Sequence, residues 1–500
     1  MEALLDHSPA PACPASFNLA AYVLDPSQSV PDKIALIIYQ RDIPKKITYK
    51  QLATAVFGAA NGLSQAGIKA GDRVMLRLGN TIEFPIAFLA LAAIDAIAMP
   101  VSEQLSKPEV NTLIEQTRPN AFIAASDIDI ENFSGFSINT NQLKSFYTLP
   151  PLDPVMGDPN RAAYIIFTSG TSGQPKAVVH AHRAVWARRM MWDSWYDLRQ
   201  NDVMMHAGAL NWTYTLGTGL MDPWAIGATA VIPNTQQPKQ IWSTILETQT
   251  TIFAAAPGIF RRLLVSPPKN TPVNLRHALC AGDTLPQTSR DMWRSLTGTP
   301  ICEAYGMTEC STFLSARPSA PDTLQAQTGR KIAILGQDRP VNIGELGSIA
   351  ISMNDPGLML GYLENNKINL KLTGSWFKTE DTGKVNSGGT ITFSGRHTDI
   401  MNAGAYRVSP REVEIVFERH PNILEVAVTE IEVKPDVTVI AAFYISTTDI
   451  AFNELEELVQ SQLARYKHPR VIQRVKALPR TPNGKLIRAS LRKLWNKNYD

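Results

Sequence analysis

Apolar residues recur at helical spacing through Leu52, Val56, Ala59, Ala60 and Leu63; Gly67 and Gly71 break the pattern, and residues 73–78 then alternate as a strand does. The rhythm continues downstream. It predicts a helix over 84–93, an extended segment over 96–101, a helix over 108–117 and a strand over 121–125. Alternation of this kind builds sheets covered by helices, so the first three-quarters of the chain reads as α/β. From about Thr390 the texture changes: 391–393 and 426–430 read as strands, 410–418 and 452–463 as amphipathic helices, forming a small α+β unit. Residues 394–405 are polar and carry glycines, which suits a hinge between two bodies. The expected architecture is a large N-terminal domain of helix-covered β-sheets over 1–397 and a smaller mobile α+β C-terminal domain over 398–500.

Composition narrows the function classes. The chain has 500 residues, 44% hydrophobic and 19% charged, which is that of a globular protein able to bury a large interior. A formal charge of +3 gives little electrostatic footprint for DNA or RNA, and no nucleic-acid partner is expected. Cys13, Cys280, Cys302 and Cys310 lie at no zinc-ligand spacing, and a chain this size needs no disulfide staples. The longest apolar stretch, 84–101, is interrupted by Pro85, Asp95 and Pro100, so it reads as a buried helix feeding a strand and not as a membrane insertion. The first 17 residues hold Glu2, Asp6 and three prolines without the basic start and apolar run of a signal peptide, which places the expectation in the cytosol.

The most informative segment is a strand, 162–167, running into Thr168-Ser169-Gly170-Thr171-Ser172-Gly173-Gln174-Pro175-Lys176. Gly170 and Gly173 let backbone N–H groups converge on an anion, four hydroxyls add donors, and Lys176 supplies positive charge. The P-loop pattern would need glycine at Pro175 and a hydroxyl at Ala177, so a different phosphate chemistry is implied. Taken alone, the segment also fits a surface turn. His180 and His182 read as ordinary polar contacts, not a metal pair.

This loop resembles the phosphate-binding signature of the superfamily of acyl-CoA synthetases, nonribosomal-peptide adenylation domains and beetle luciferases. Further matches follow in order: Cys280-Ala-Gly-Asp-Thr-Leu-Pro286, similar to the adenine-contact loop; Tyr305-Gly-Met-Thr-Glu309; Asp381 with Gly395-Arg396, similar to a ribose-binding pair; and Pro479-Arg-Thr-Pro-Asn-Gly-Lys485, similar to the terminal lysine motif. The resemblance runs from about Phe17 to Leu494. It implies catalytic roles for Lys176, Thr308, Glu309 and Lys485, with Glu309 holding Mg²⁺, a hard cation that prefers oxygen ligands. Nucleotide contacts are implied for Thr168 to Gly173, Gly282, Asp283, Thr284, Glu303, Ala304, Tyr305, Gly306, Met307, Thr308, Asp381 and Arg396, and for Lys485. Gly404 and Arg407 would face the thiol acceptor, and Thr398 would be the hinge residue.

ATP, Mg²⁺ and coenzyme A are the implied cofactors and co-substrates, and an apolar carboxylic acid the implied substrate. Trp212 would stand at the gate of its pocket, with Gly306 and Met307 at the base; filling of the core by Trp212 and Tyr214 is the competing reading. The sequence departs from the family pattern at Thr398, commonly Asp or Lys, at Ala405, usually glycine beside the thiol tunnel, and at Ala177. The expected reaction is carboxylate activation as acyl-AMP followed by transfer to coenzyme A. The alternatives are a stand-alone enzyme loading a carrier-protein thiol, and a nucleotide-binding protein without turnover. A homodimer is compatible with all three.

Overall fold

The structure is a computed structural model that describes residues 1–40, 43–125, 133, 135–168, 175–233, 237–370, 374–396, 401–403, 406–434, 437–463, 465–481, 484 and 486–495. For Arg396 and Arg407 it describes the main chain alone. Ser169 to Gly173, Thr398, Gly404, Ala405 and Lys485, all named above, lie outside the described residues.

Among the described residues the strands form three large sheets and two small ones. An eight-stranded sheet has a parallel centre, in which Arg73–Arg77 lies between Ile97–Pro100 and Ala121–Ala124, and Ile97–Pro100 meets Ala162–Thr168. Lys176–Ala181 runs antiparallel to Ala162–Thr168, with Thr168 and Lys176, the two ends of the phosphate-loop sequence, paired at the carboxyl end of a parallel strand. A nine-stranded sheet likewise has parallel strands at its centre, among them His277–Ala281 beside Ile301–Met307, and antiparallel Ser311–Arg317 and Ala320–Ala326 at one edge.

Helix Tyr49–Gln65 starts at a capping box in which the Thr48 hydroxyl accepts from the Gln51 N–H and the Gln51 side chain returns to the Thr48 N–H. Beside it, every residue of helix Glu83–Ala93 is buried, because an element apolar on all sides is stable only with protein on all sides. Leu52 and Val56 of the first helix, Phe84 to Ala93 of the second, and Ile38, Ala230 and Ile232 of the nine-stranded sheet share one core cluster, which fixes the two large sheets against each other. The expected helix over 84–93, the strand after it and the helix over 108–117 all form, the last as Lys107–Thr117.

A five-stranded antiparallel sheet follows, and here the sequence reading needs correction. Ile391–Arg396 pairs with Trp376–Val385 as the last strand of this sheet, so the change of texture expected from Thr390 falls later. Residues 394–396, expected in a polar hinge, are strand, and Met401–Ala403 forms a ribbon with Tyr406–Val408. The α+β unit after them packs helices Pro410–Phe417 and Phe452–Gln462 on a three-stranded sheet, with Val413, Phe417, Val428, Ala442, Leu455 and Val459 in one core. The four cysteines are free, and no described helix is long and apolar enough to cross a membrane.

Candidate active site

Loops at the carboxyl ends of parallel strands are where open α/β sheets bind ligands. The loops after Ala162–Thr168, His277–Ala281 and Ile301–Met307 are such loops, and each carries a motif singled out from the sequence. Gly306 is needed for a backbone reason: a Cβ there would stand 2.3 Å from the Ser311 carbonyl oxygen, inside the hairpin that returns along Ser311–Arg317. The turn therefore holds Thr308 and Glu309 at a fixed place beyond the strand end.

Four distant segments meet here in a closed circuit. Lys176 Nζ lies 3.7 Å from Glu380 Oε1 and 5.5 Å from the centre of the Tyr362 ring. The Tyr362 hydroxyl donates to Glu309 Oε1 at 2.8 Å. Four residues before Glu309, the Tyr305 hydroxyl donates to Asp381 Oδ2 at 2.6 Å, and Asp381 is the neighbour of Glu380. Across the ladder Asp381 stands opposite Arg396, so the two expected ribose-binding positions are adjacent in the backbone. Burial and the adjacent carboxylates push the phenols of Tyr305 and Tyr362 well above their usual range, so both are donors at neutral pH.

The circuit leaves a cation, Lys176, over the face and a buried acid, Glu309, at the hydroxyl of one aromatic ring. An oxygen donor held in this way fits a hard divalent cation, and the lysine beside it fits a phosphate oxygen. Among the described residues no group of three or more His, Cys, Asp or Glu side chains could hold a metal by itself.

The adenine-loop candidates lie alongside. Gly282 adopts φ +101°, and a Cβ there would stand 2.9 Å from the edge of Trp212, so glycine is required both by the turn and by the indole against it. Asp283 Oδ1 accepts from the Thr284 N–H at 2.9 Å. Glu303 braces this loop: its carboxylate accepts from the Leu285 N–H at 2.7 Å and from Arg290 at 2.5 Å. Ala304 faces the core cluster behind it. Trp212 is half-buried against that cluster and Gly282, whereas Tyr214 is buried and its hydroxyl donates to the Leu279 carbonyl. Tyr214 is therefore core, and Trp212 is the member of the pair that borders the site. Met307 packs half-buried on the cluster that also holds Phe313 and Phe377.

His180 is buried, stacked on Tyr164 at 4.7 Å, and burial lowers its pKa to about 3. His182 accepts from the Leu19 N–H at 3.0 Å and pairs with Asp95 at 3.2 Å, so the two rings serve separate packing contacts.

Sequence reasoning missed Tyr362 and Glu380. Tyr362 follows Gly361, whose φ is +144° and where a Cβ would meet the Asn369 carbonyl, a local signal that the chain is held close at this point. Glu380 is next to an expected ligand, Asp381, in a strand where alternate residues point to opposite faces.

Comparison with known proteins places this geometry. The chain is 28% identical to the 4-hydroxybenzoate–CoA/benzoate–CoA ligase of Rhodopseudomonas palustris, over 92% of this chain and 91% of that one. It is also 28% identical to the human mitochondrial acyl-coenzyme A synthetase ACSM3, over 89% of this chain and 83% of that one. Among solved structures, an anthranilate CoA ligase, AuaEII, in complex with anthranoyl-AMP superposes with a TM-score of 0.88 at 25% identity, covering 96% of this chain and 98% of that one. A benzoate CoA ligase from Burkholderia xenovorans LB400 gives 0.86 at 25%, covering 95% and 100%. The sequence model of the AMP-binding enzyme family matches residues 25–363 and that of the AMP-binding enzyme C-terminal domain residues 412–485. With two-thirds of its length spanned by the first of these, the chain belongs to the AMP-binding enzyme family.

Proposed function

We propose that the chain is an ATP-dependent acid–thiol ligase that activates a carboxylic acid as acyl-AMP and passes the acyl group to coenzyme A. The observation that carries this reading is the closed circuit Lys176–Tyr362–Glu309 and Tyr305–Asp381–Glu380, which gathers phosphate, cation and ribose positions from across some 200 residues of sequence. In the first step a carboxylate oxygen bonds to the α-phosphorus of ATP and the bond to the β-phosphate oxygen breaks, releasing pyrophosphate. Two anions approach each other in this step, so fixed positive charge lowers its barrier. Lys176 supplies such charge from the N-terminal domain and Lys485 from the C-terminal one. Glu309 would hold Mg²⁺, which when bound neutralises phosphate charge.

In the second step the sulfur of coenzyme A bonds to the acyl carbon, AMP leaves, and the thiol proton passes to solvent. The reading divides the chain into 1–397 and 398–500, with Thr398 as pivot of a rotation that withdraws Lys485 and brings Gly404 and Arg407 to the acyl-AMP. Ser169 to Gly173 would cradle the phosphates, and Asp381 with Arg396 would hold the ribose. Trp212 would border an apolar acid. The relatives named for benzoate and anthranilate support an aromatic acid, and the cytosol is the proposed compartment.

Two measurements test this. Pyrophosphate release should require a carboxylic acid, and a panel of aromatic and C4–C12 acids should rank the substrates. Lys485→Ala should abolish adenylation, by about 10²–10³-fold, yet spare thioester formation from synthetic acyl-AMP. Tight ATP binding with no acid-dependent pyrophosphate release would leave a nucleotide-binding protein instead.

A further inference from the structure

We propose that Arg480 is the positioning residue of the adenylate-forming arrangement, clamping Gly484, the residue before Lys485, against the loop after His277–Ala281 through an alternating chain of charges, Arg261–Glu425–Arg480–Asp283. The inference rests on the role given to Lys485 above. Glu425, on strand Ile423–Lys434, accepts from Arg261 Nε at Oε1 and from Arg480 Nη2 at Oε2, both at 2.7 Å. Arg480 Nη1 donates to the Gly484 carbonyl at 2.6 Å and lies 3.4 Å from Asp283 Oδ2. Gly484 immediately precedes Lys485, and Asp283 immediately follows Gly282, the glycine against Trp212.

The four side chains come from both domains. Arg261 belongs to helix Pro257–Val265 and Asp283 to the candidate adenine loop, while Glu425 and Arg480 belong to the C-terminal unit. They are between 14% and 33% exposed, so solvent screens them only in part. One planar guanidinium meets a carboxylate of its own domain, a carboxylate of the other domain and a main-chain carbonyl, which a single ammonium could not do with the same geometry. The Oδ1 atom of Asp283 is taken by the Thr284 N–H, which leaves Oδ2 aimed at Arg480.

This division of contacts dictates what a rotation of the C-terminal unit breaks. Arg480–Glu425 and Arg480–Gly484 lie within that unit and travel with it. Arg261–Glu425 and Arg480–Asp283 cross between the domains and must part. The interdomain contacts therefore favour one half-reaction and are absent from the other, so their removal slows adenylation selectively.

The test measures acid-dependent pyrophosphate release and, separately, thioester formation from synthetic acyl-AMP and coenzyme A. Arg480→Met should slow adenylation by about 10- to 100-fold, the range expected for a charge-assisted hydrogen bond, and leave thioester formation at the parental rate. Arg480→Lys should recover part of the loss. Arg261→Met, on the other domain, should slow adenylation in the same direction, and the double variant should lose less than the two single effects combined, because both act through Glu425. Equal slowing of both half-reactions, or unchanged adenylation in Arg480→Met, overturns the positioning role while a dead Lys485→Ala leaves the underlying reading intact. Full-rate adenylation by Lys485→Ala would remove that reading itself.

Discussion

Asp222→Asn is the substitution most sharply constrained by the structure. Arg188 and Asp222 are almost wholly buried and meet through two hydrogen bonds from Nε, at 2.9 and 3.0 Å, and one from Nη2 at 2.7 Å. Tyr196 donates to Asp222 at 2.9 Å, Arg188 reaches Thr218 at 3.1 Å, and Arg188 Nη1 donates to Ser311 at 2.6 Å. Two π-helical turns, Trp192–Tyr196 and Gly217–Met221, bring Tyr196 and Thr218 to this point. A Cβ at Gly217 would stand 2.1 Å from Arg188 Cζ, so the guanidinium fills the space that glycine leaves. Asparagine preserves the shape but removes the counter-charge, and an uncompensated buried cation costs about 3–5 kcal/mol. For a domain of this size the melting temperature should fall by roughly 4–6 °C, read by calorimetry. Because Ser311 lies two residues beyond Glu309, adenylation should weaken as well. Arg188→Met with Asp222→Leu removes both charges and should recover most of the stability. An Asp222→Asn protein melting within about 1 °C (about 1 kcal/mol) of the parent would refute the reasoning.

Tyr305→Phe removes the donor to Asp381 and should raise the KM for ATP by about tenfold, in line with about 1.5 kcal/mol for a hydrogen bond to a charged group; steady-state kinetics at saturating acid checks it. Glu309→Gln keeps the Tyr362 contact but loses the carboxylate charge, so pyrophosphate release should drop by about 10²-fold or more and demand higher Mg²⁺, measured by metal titration. Stability should decline in acid. His180, His206 and His277 are buried, and burial lowers their pKa values to about 3, 3 and 4, below the 6.5 of an unfolded chain. The unfolded state therefore binds more protons between those values, so the contribution is complete above about pH 6.5 and is lost as pH falls, at about 1.4 kcal/mol per unit for each ring. Denaturation at pH 5 and pH 7 checks this, and a His206→Phe variant should show a shallower slope.

How much of this was legible in the sequence depended on whether the cause is local. The turns at Gly282 and Gly306 were readable because a tight turn or a close approach writes itself into neighbouring residues as glycine. Helix Glu83–Ala93 was readable because continuous apolar sequence has one stable environment. The partners of those residues were not readable. Tyr362 meets Glu309 across 53 positions and Arg480 meets Asp283 across 197, and no period or spacing encodes a contact that only the packed sheets create. Glu303, for which the family resemblance implies a nucleotide contact, gives its carboxylate to the Leu285 N–H and Arg290, holding the neighbouring loop in place. A motif thus locates the chemistry, while the distribution of hydrogen bonds decides which of its residues can face a ligand. By that criterion Lys176 and Glu309, held on the face and hydroxyl of one tyrosine, are the pair among the described residues on which the rate of the first half-reaction should depend most, and Glu303 should act on nucleotide affinity through the loop it braces.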